Sequence, residues 1–205
     1  MASTTSEKSG KGLTDGVVSE LATYWNVLPG HEEELRAATQ RFADILHSAG
    51  LEKNIHTGLR DQRHVIFDGG ERLMWATTFE TEWDPYFDDF VQIGIEHFLD
   101  WMQHTTQYED VSAWLESSGG VETFRLDNPD LEAQLKRSVG GLKAIVQSVQ
   151  SPATGYVNNT GTWTMPEIVK AMRVQQAFQQ VLDDPAAEEA LQHPALKPLL
   201  DQAAE

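Results

Sequence analysis

The sequence predicts an α+β fold in which an antiparallel sheet carries helices on one face, with additional helices toward the C-terminal end. Three observations carry this. Two β-type runs, Gln62–Asp68 and Arg72–Glu80, meet at Asp68-Gly69-Gly70, which is hairpin chemistry. The second run feeds a long helical pattern opening at Asp84-Pro85, a cap followed by a first-turn proline. Upstream, the β-branched and aromatic run Val17–Val27 ends at the turn signal Leu28-Pro29-Gly30 and is followed by a helix of its own.

Each element has its own reason. The start, MASTTSEKSGKG, is small and polar without an apolar core segment, so it reads as neither a signal peptide nor an anchor. Residues 1–15 are therefore expected to form a disordered lead-in. After the first strand, His31–Ser48 opens with Glu32-Glu33-Glu34, favourable at the positive end of a helix, and places Leu35, Ala38, Phe42, Ile45 and Leu46 on one face. The hairpin and the helix from Asp84 to about His104 follow. Leu131, Leu135, Leu142, Ile145 and Val149 recur at helical spacing over Asp130–Val149, and a further helix is expected at Pro166–Leu182, after a short strand Ala153–Asn158. That strand would complete β-α-β-β-α-β, the ferredoxin-like arrangement. The expected organisation is one α+β domain over 16–183, with an inserted helix at about 130–149, and a C-terminal extension over 184–205.

Composition narrows the partners. With 32 acidic against 15 basic side chains, the net charge of −17 repels phosphate backbones and anionic lipid, so nucleic acid and membrane surfaces are not expected partners. No apolar run approaches the roughly 18 residues that span a bilayer, which points to a cytoplasmic protein. The chain has no cysteine, which removes disulfides, thiolate metal sites and thiol nucleophiles.

The candidate site residues sit on the hairpin and on the helix after it. Side chains alternate along a strand, so Arg63 and His64 must face opposite sides of the sheet. On the Asp84–His104 helix, Phe87, Phe90, Val91, Gly94, Ile95, Phe98, Trp101 and Met102 make a broad apolar stripe with His97 and His104 at its edge. Those two histidines are about 10 Å apart along the axis and cannot share a metal ion. Asp100 and His104 lie one turn apart, but two ligands do not make a metal site. Asp84, Asp88 and Asp89 read as a cap and a solvated face, and Trp25, Trp75, Trp83 and Trp101 read first as core. Gly119-Gly120 and Gly140-Gly141 lack the surroundings of a phosphate loop, and no nucleophile elbow is present.

The first strand running through Asn26-Val27-Leu28-Pro29-Gly30 into an acidic helix start resembles antibiotic-biosynthesis-monooxygenase-like domains of the dimeric α/β-barrel superfamily. The run from Arg63 to Phe90, RHVIFDGGERLMWATTFETEWDPYFDDF, is similar to a segment of uncharacterised bacterial members of that fold. The resemblance covers roughly Val17–His104, with a weaker match around Ala153–Leu182. It implies a homodimer that pairs open sheet faces around a small apolar or anionic molecule, and an oxidoreductase of the haem-dependent or cofactor-free oxygenase/peroxidase type. Under it, Arg63 would orient an anionic group, His64 would serve as acid or base, and His97 or His104 would be the axial ligand of a haem lined by Trp101. Haem-degrading members use an asparagine on the first strand and a tryptophan and histidine on the second helix, elements occupied here by Asn26, Trp101 and His104. Fold does not fix function, and the other reading is a non-catalytic ligand-binding or protein-interaction module on the same scaffold, with the exposed tail near Leu196–Leu200 as its contact.

Overall fold

Polar alternation along the strands puts one face of a small sheet against helices and leaves the other face without them. The computed structural model describes residues 12–204, apart from the side chains of 90–93, and divides into two units, Met1–Thr162 and Trp163–Glu205. The first unit opens with β1 (Thr14–Asp15) and β2 (Val18–Asn26), so the lead-in expected over 1–15 includes two residues of strand, and the remainder up to residue 11 lies outside the described residues. Next come α1 (Glu32–Ala49), the short α2 (Leu51–His56), β3 (Leu59–Phe67) and β4 (Arg72–Phe79). The sheet is antiparallel throughout, in the order β1-β2-β4-β3. The hairpin turn carries three successive positive φ angles, 51° at Asp68, 68° at Gly69 and 106° at Gly70, a geometry that explains the Asp-Gly-Gly run.

The expected strand Ala153–Asn158 does not form. Pro152 lacks an N–H, and the Gly155 and Asn158-Asn159 positions favour turns over a ladder. The outer edge of β2 is closed by pieces of chain from three places. Glu20 N–H donates to Leu13 O (3.0 Å); Tyr24 N–H donates to Val149 O (2.9 Å), while Ser151 N–H donates to Ala22 O (3.0 Å); and Thr106 N–H donates to Asn26 O (2.8 Å). Each leaves fewer edge groups for another strand to recruit.

The helices cover the face carrying Leu21, Trp25, Leu73, Trp75 and Phe79. α1 buries Leu35, Ala38, Phe42 and Leu46 there, with its three glutamates in the first turn. α3 (Trp83–Met102) starts one residue before the expected cap: Glu82 precedes it without a side-chain cap, and Asp84 turns to a partner described below. Gly94, with φ 119° and ψ 105°, interrupts α3, so the expected single helix is two segments. α4 (Tyr108–Ser117), a 3₁₀ turn at Val121–Phe124 and α5 (Leu131–Ser148) pack together around Trp114 and Phe124, on the helix side of the unit. Gly141 is required there, since a Cβ would lie 2.5 Å from the Trp114 ring. The inserted helix therefore does not cover the open face of the sheet.

The second unit is helical: α6 (Met165–Leu182), α7 (Glu188–Leu191) and α8 (Lys197–Ala203). Thr164 and Glu167 form a capping box at the start of α6. The helix expected at Pro166–Leu182 groups with the tail in the second unit, which begins at Trp163. Met172, Val174 and Val181 are exposed along α6. Among the described residues no helix is long and apolar enough to cross a membrane.

Candidate functional site

Strand register arranges the open face into rows. Glu20, Thr78 and Asp61 are cross-strand neighbours in one row; Ala22, Ala76 and Arg63 make the second; Tyr24, Met74 and Val65 make the third. The two alanines form a depression between larger neighbours. Ser151, Pro152, Ala153 and Tyr156 pass above it and enclose a cleft of about 240 Å³. This strap is fixed at both ends. Ala153 N–H donates to Glu20 Oε1 (3.0 Å), as does Leu13 N–H (2.9 Å), and Asn158 N–H donates to Asp15 Oδ2 (2.9 Å).

Arg63 is exposed at the side of this cleft and, among the described residues, forms no ion pair or hydrogen bond. The obvious counter-ion, Asp61, accepts a hydrogen bond from Thr78 Oγ1 through Oδ2. Asp61 and Arg63 thus stand on one face with their charges unjoined. Burial raises the Tyr156 phenol above its ordinary pKa, assisted by the Asp61 carboxylate, so it is a hydrogen-bond donor at neutral pH. Behind the strap, Arg60 and Glu80 make a 2.8 Å ion pair with side chains only 9% and 10% exposed, and Arg60 also donates to Thr160 Oγ1.

His64 lies on the other side of the sheet. Its ring packs against Phe42 (5.5 Å between centroids), Trp101 (5.3 Å) and Trp75 (6.4 Å, stacked). Burial pushes its pKa down to about 4, and Nε2 is buried with no hydrogen-bond partner among the described residues. Arg63 and His64 therefore do not share a pocket, and acid-base work by His64 at the cleft would have to cross the sheet.

The helix candidates gather elsewhere. Trp101 is fully buried in the core against Trp25 (5.2 Å), with no partner for its Nε1 among the described residues. His104 Nδ1 is 3.1 Å from His31 Nδ1, and burial followed by that neighbour lowers the His104 pKa. His97 is half-buried on α3. Asp100 is held by Arg41 through two hydrogen bonds of 2.8 and 2.9 Å, which lower its pKa. No group of three or more metal-ligating side chains converges among the described residues. A haem whose propionates met Arg63 would have the sheet between it and every histidine of α3, while Trp101 is sealed in the core. The residues do not fit that cofactor.

Three partners escaped the sequence reading. Lys143 of α5 stands between Asp84 (3.2 Å) and Asp88 (2.7 Å) with its side chain 14% exposed, so the acidic face, about half exposed, also holds a cation from another helix. Asp89 beside it is raised by burial and by Asp88. The i,i+4 spacing of Asp84 and Asp88 was the available signal. Glu20 and Tyr156 gave none, since their roles depend on where the strap passes.

Comparison with protein-family models, with curated proteins and with solved structures found no match for this chain.

Proposed function

We propose that the chain is a small-molecule-binding protein of the ferredoxin-like, dimeric α/β-barrel type, whose ligand is small, partly apolar and anionic and lies in the cleft on the open face of the sheet. The single observation that carries this is Arg63, a guanidinium on the cleft without a counter-ion beside a floor of Ala22, Ala76 and Met74. An unpaired arginine at a shaped depression is a carboxylate receptor in waiting. Support for the fold type is the central β2-β4-β3 order, with α1 crossing between β2 and β3 and packing against α3 on one face. The uncovered part of the other face, including Val65 at 40% exposure, is where a second copy would pair.

Calorimetric titration with 4-methylpentanoate tests the binding. A charge-assisted hydrogen bond contributes about 1.5–3 kcal/mol, so Arg63→Ala should weaken binding by about ten- to a hundredfold, while His64→Leu should leave it unchanged. Equal affinity in wild type and Arg63→Ala would overturn the assignment.

A further inference from the structure

We infer that the ligand is a zwitterion of the amino-acid type, its carboxylate on Arg63, its ammonium between Glu20 and Asp61, and an apolar side chain over Tyr24 and Met74. This rests on the binding reading above and deepens it. The rows of the sheet supply the argument. Successive rows are two residues apart along each strand, about 7 Å, so the cleft floor passes from two carboxylates, through a depression with one guanidinium, to an apolar step.

Opposite charges that close on one face ordinarily pair. Here they do not: Asp61 is turned toward Thr78 through Oδ2, Arg63 is unpartnered, and Glu20 uses only Oε1 for the strap. One oxygen of each carboxylate stays unengaged among the described residues, and Glu20 is only 6% exposed. A gap between unjoined charges accommodates a carboxylate and an ammonium on one carbon, which neither a plain acid nor a plain amine satisfies at both ends. The net charge of −17 acts in the same direction, because a free monoanion approaching the protein is repelled and a zwitterion is not. The cleft, about 240 Å³, lies below the range typical of drug-sized ligands and suits a molecule with few heavy atoms.

Titration with three probes separates the possibilities: L-leucine, 4-methylpentanoate, which lacks only the amine, and 3-methylbutylamine, which lacks only the carboxylate. Leucine should bind at least about tenfold more tightly than either. Asp61→Asn should bring leucine down to the level of 4-methylpentanoate without weakening the latter, and Ala22→Met, which fills the depression, should weaken all three. If 4-methylpentanoate equals leucine in the wild type and both depend on Arg63, the zwitterion is wrong and the anion site stands. If 3-methylbutylamine equals leucine and Arg63→Ala is silent, or if neither acid binds, both assignments fall.

Discussion

The neutral His64, half-buried with its Nε2 sealed from solvent, makes stability a function of pH. Its folded pKa is about 4 against about 6.5 in the unfolded chain, with desolvation among Phe42, Trp75 and Trp101 as the cause. The unfolded state takes up the proton first, so stability is fully present above about pH 6.5, falls as the pH drops toward about 4, and changes no further from this group below that. The whole shift corresponds to about 3 kcal/mol, and about 2 kcal/mol of it is lost between about pH 7 and pH 5. His104, lowered by burial and by His31, acts in the same direction, so the wild-type slope alone does not isolate His64. The difference from His64→Leu does, because leucine fills a similar volume without a titrating group. Urea unfolding across about pH 5 to 7 should show the two proteins diverging as the pH falls, with the variant keeping about 2 kcal/mol that the wild type loses. Parallel profiles would refute the assignment of the titration to His64, as would an imidazole pKa near 6.5 by NMR.

Two further substitutions probe the frame around the site. Gly94→Ala forces a Cβ into φ 119°, ψ 105° at the interruption of α3 and should cost about 1–3 kcal/mol in thermal unfolding; a neutral or stabilising effect would mean that the helix runs through unbroken. Arg60→Met leaves the Glu80 carboxylate without its 2.8 Å ion partner at 10% exposure and should cost about 3 kcal/mol in urea; a loss under about 1 kcal/mol would place the pair in solvent.

The elements with a strong period were legible in the sequence. Leu35, Ala38, Phe42 and Leu46 marked α1, β-branched and aromatic content marked β2, the Asp-Gly-Gly turn marked the hairpin, and α5 and α6 fell within one residue of their expected starts. What failed depended on tertiary placement. The Ala153–Asn158 run looked strand-like at Tyr156-Val157, but strap and strand differ in where the backbone groups bond, and Ala153 N–H goes to the Glu20 side chain. α2 and α4 are too short for their periodicity to stand out. At the site, alternation required Arg63 and His64 to part, yet only the burial of Trp75 beside His64 shows which of them took the core. The histidines of α3 were read from one helix wheel, and a wheel does not reveal that His31, on the far side of α1's first turn, would reach His104.

The closure of β2 by three separate pieces of chain has a consequence for synthesis. Leu13 is made before β2 and Thr106 soon after α3, but Val149 and Ser151 come only after α5. Until they leave the ribosome, Ala22 and Tyr24 at the middle of β2 lack edge partners, although the hairpin that fills the other edge is complete by Phe79. A nascent chain that has finished its hairpin and α3 thus carries an open strand edge for the time taken to make about fifty more residues, several seconds at ordinary rates of synthesis. The same two residues that shut this edge also lead the strap over the cleft, so the pocket and the protection of the sheet are completed in a single late event.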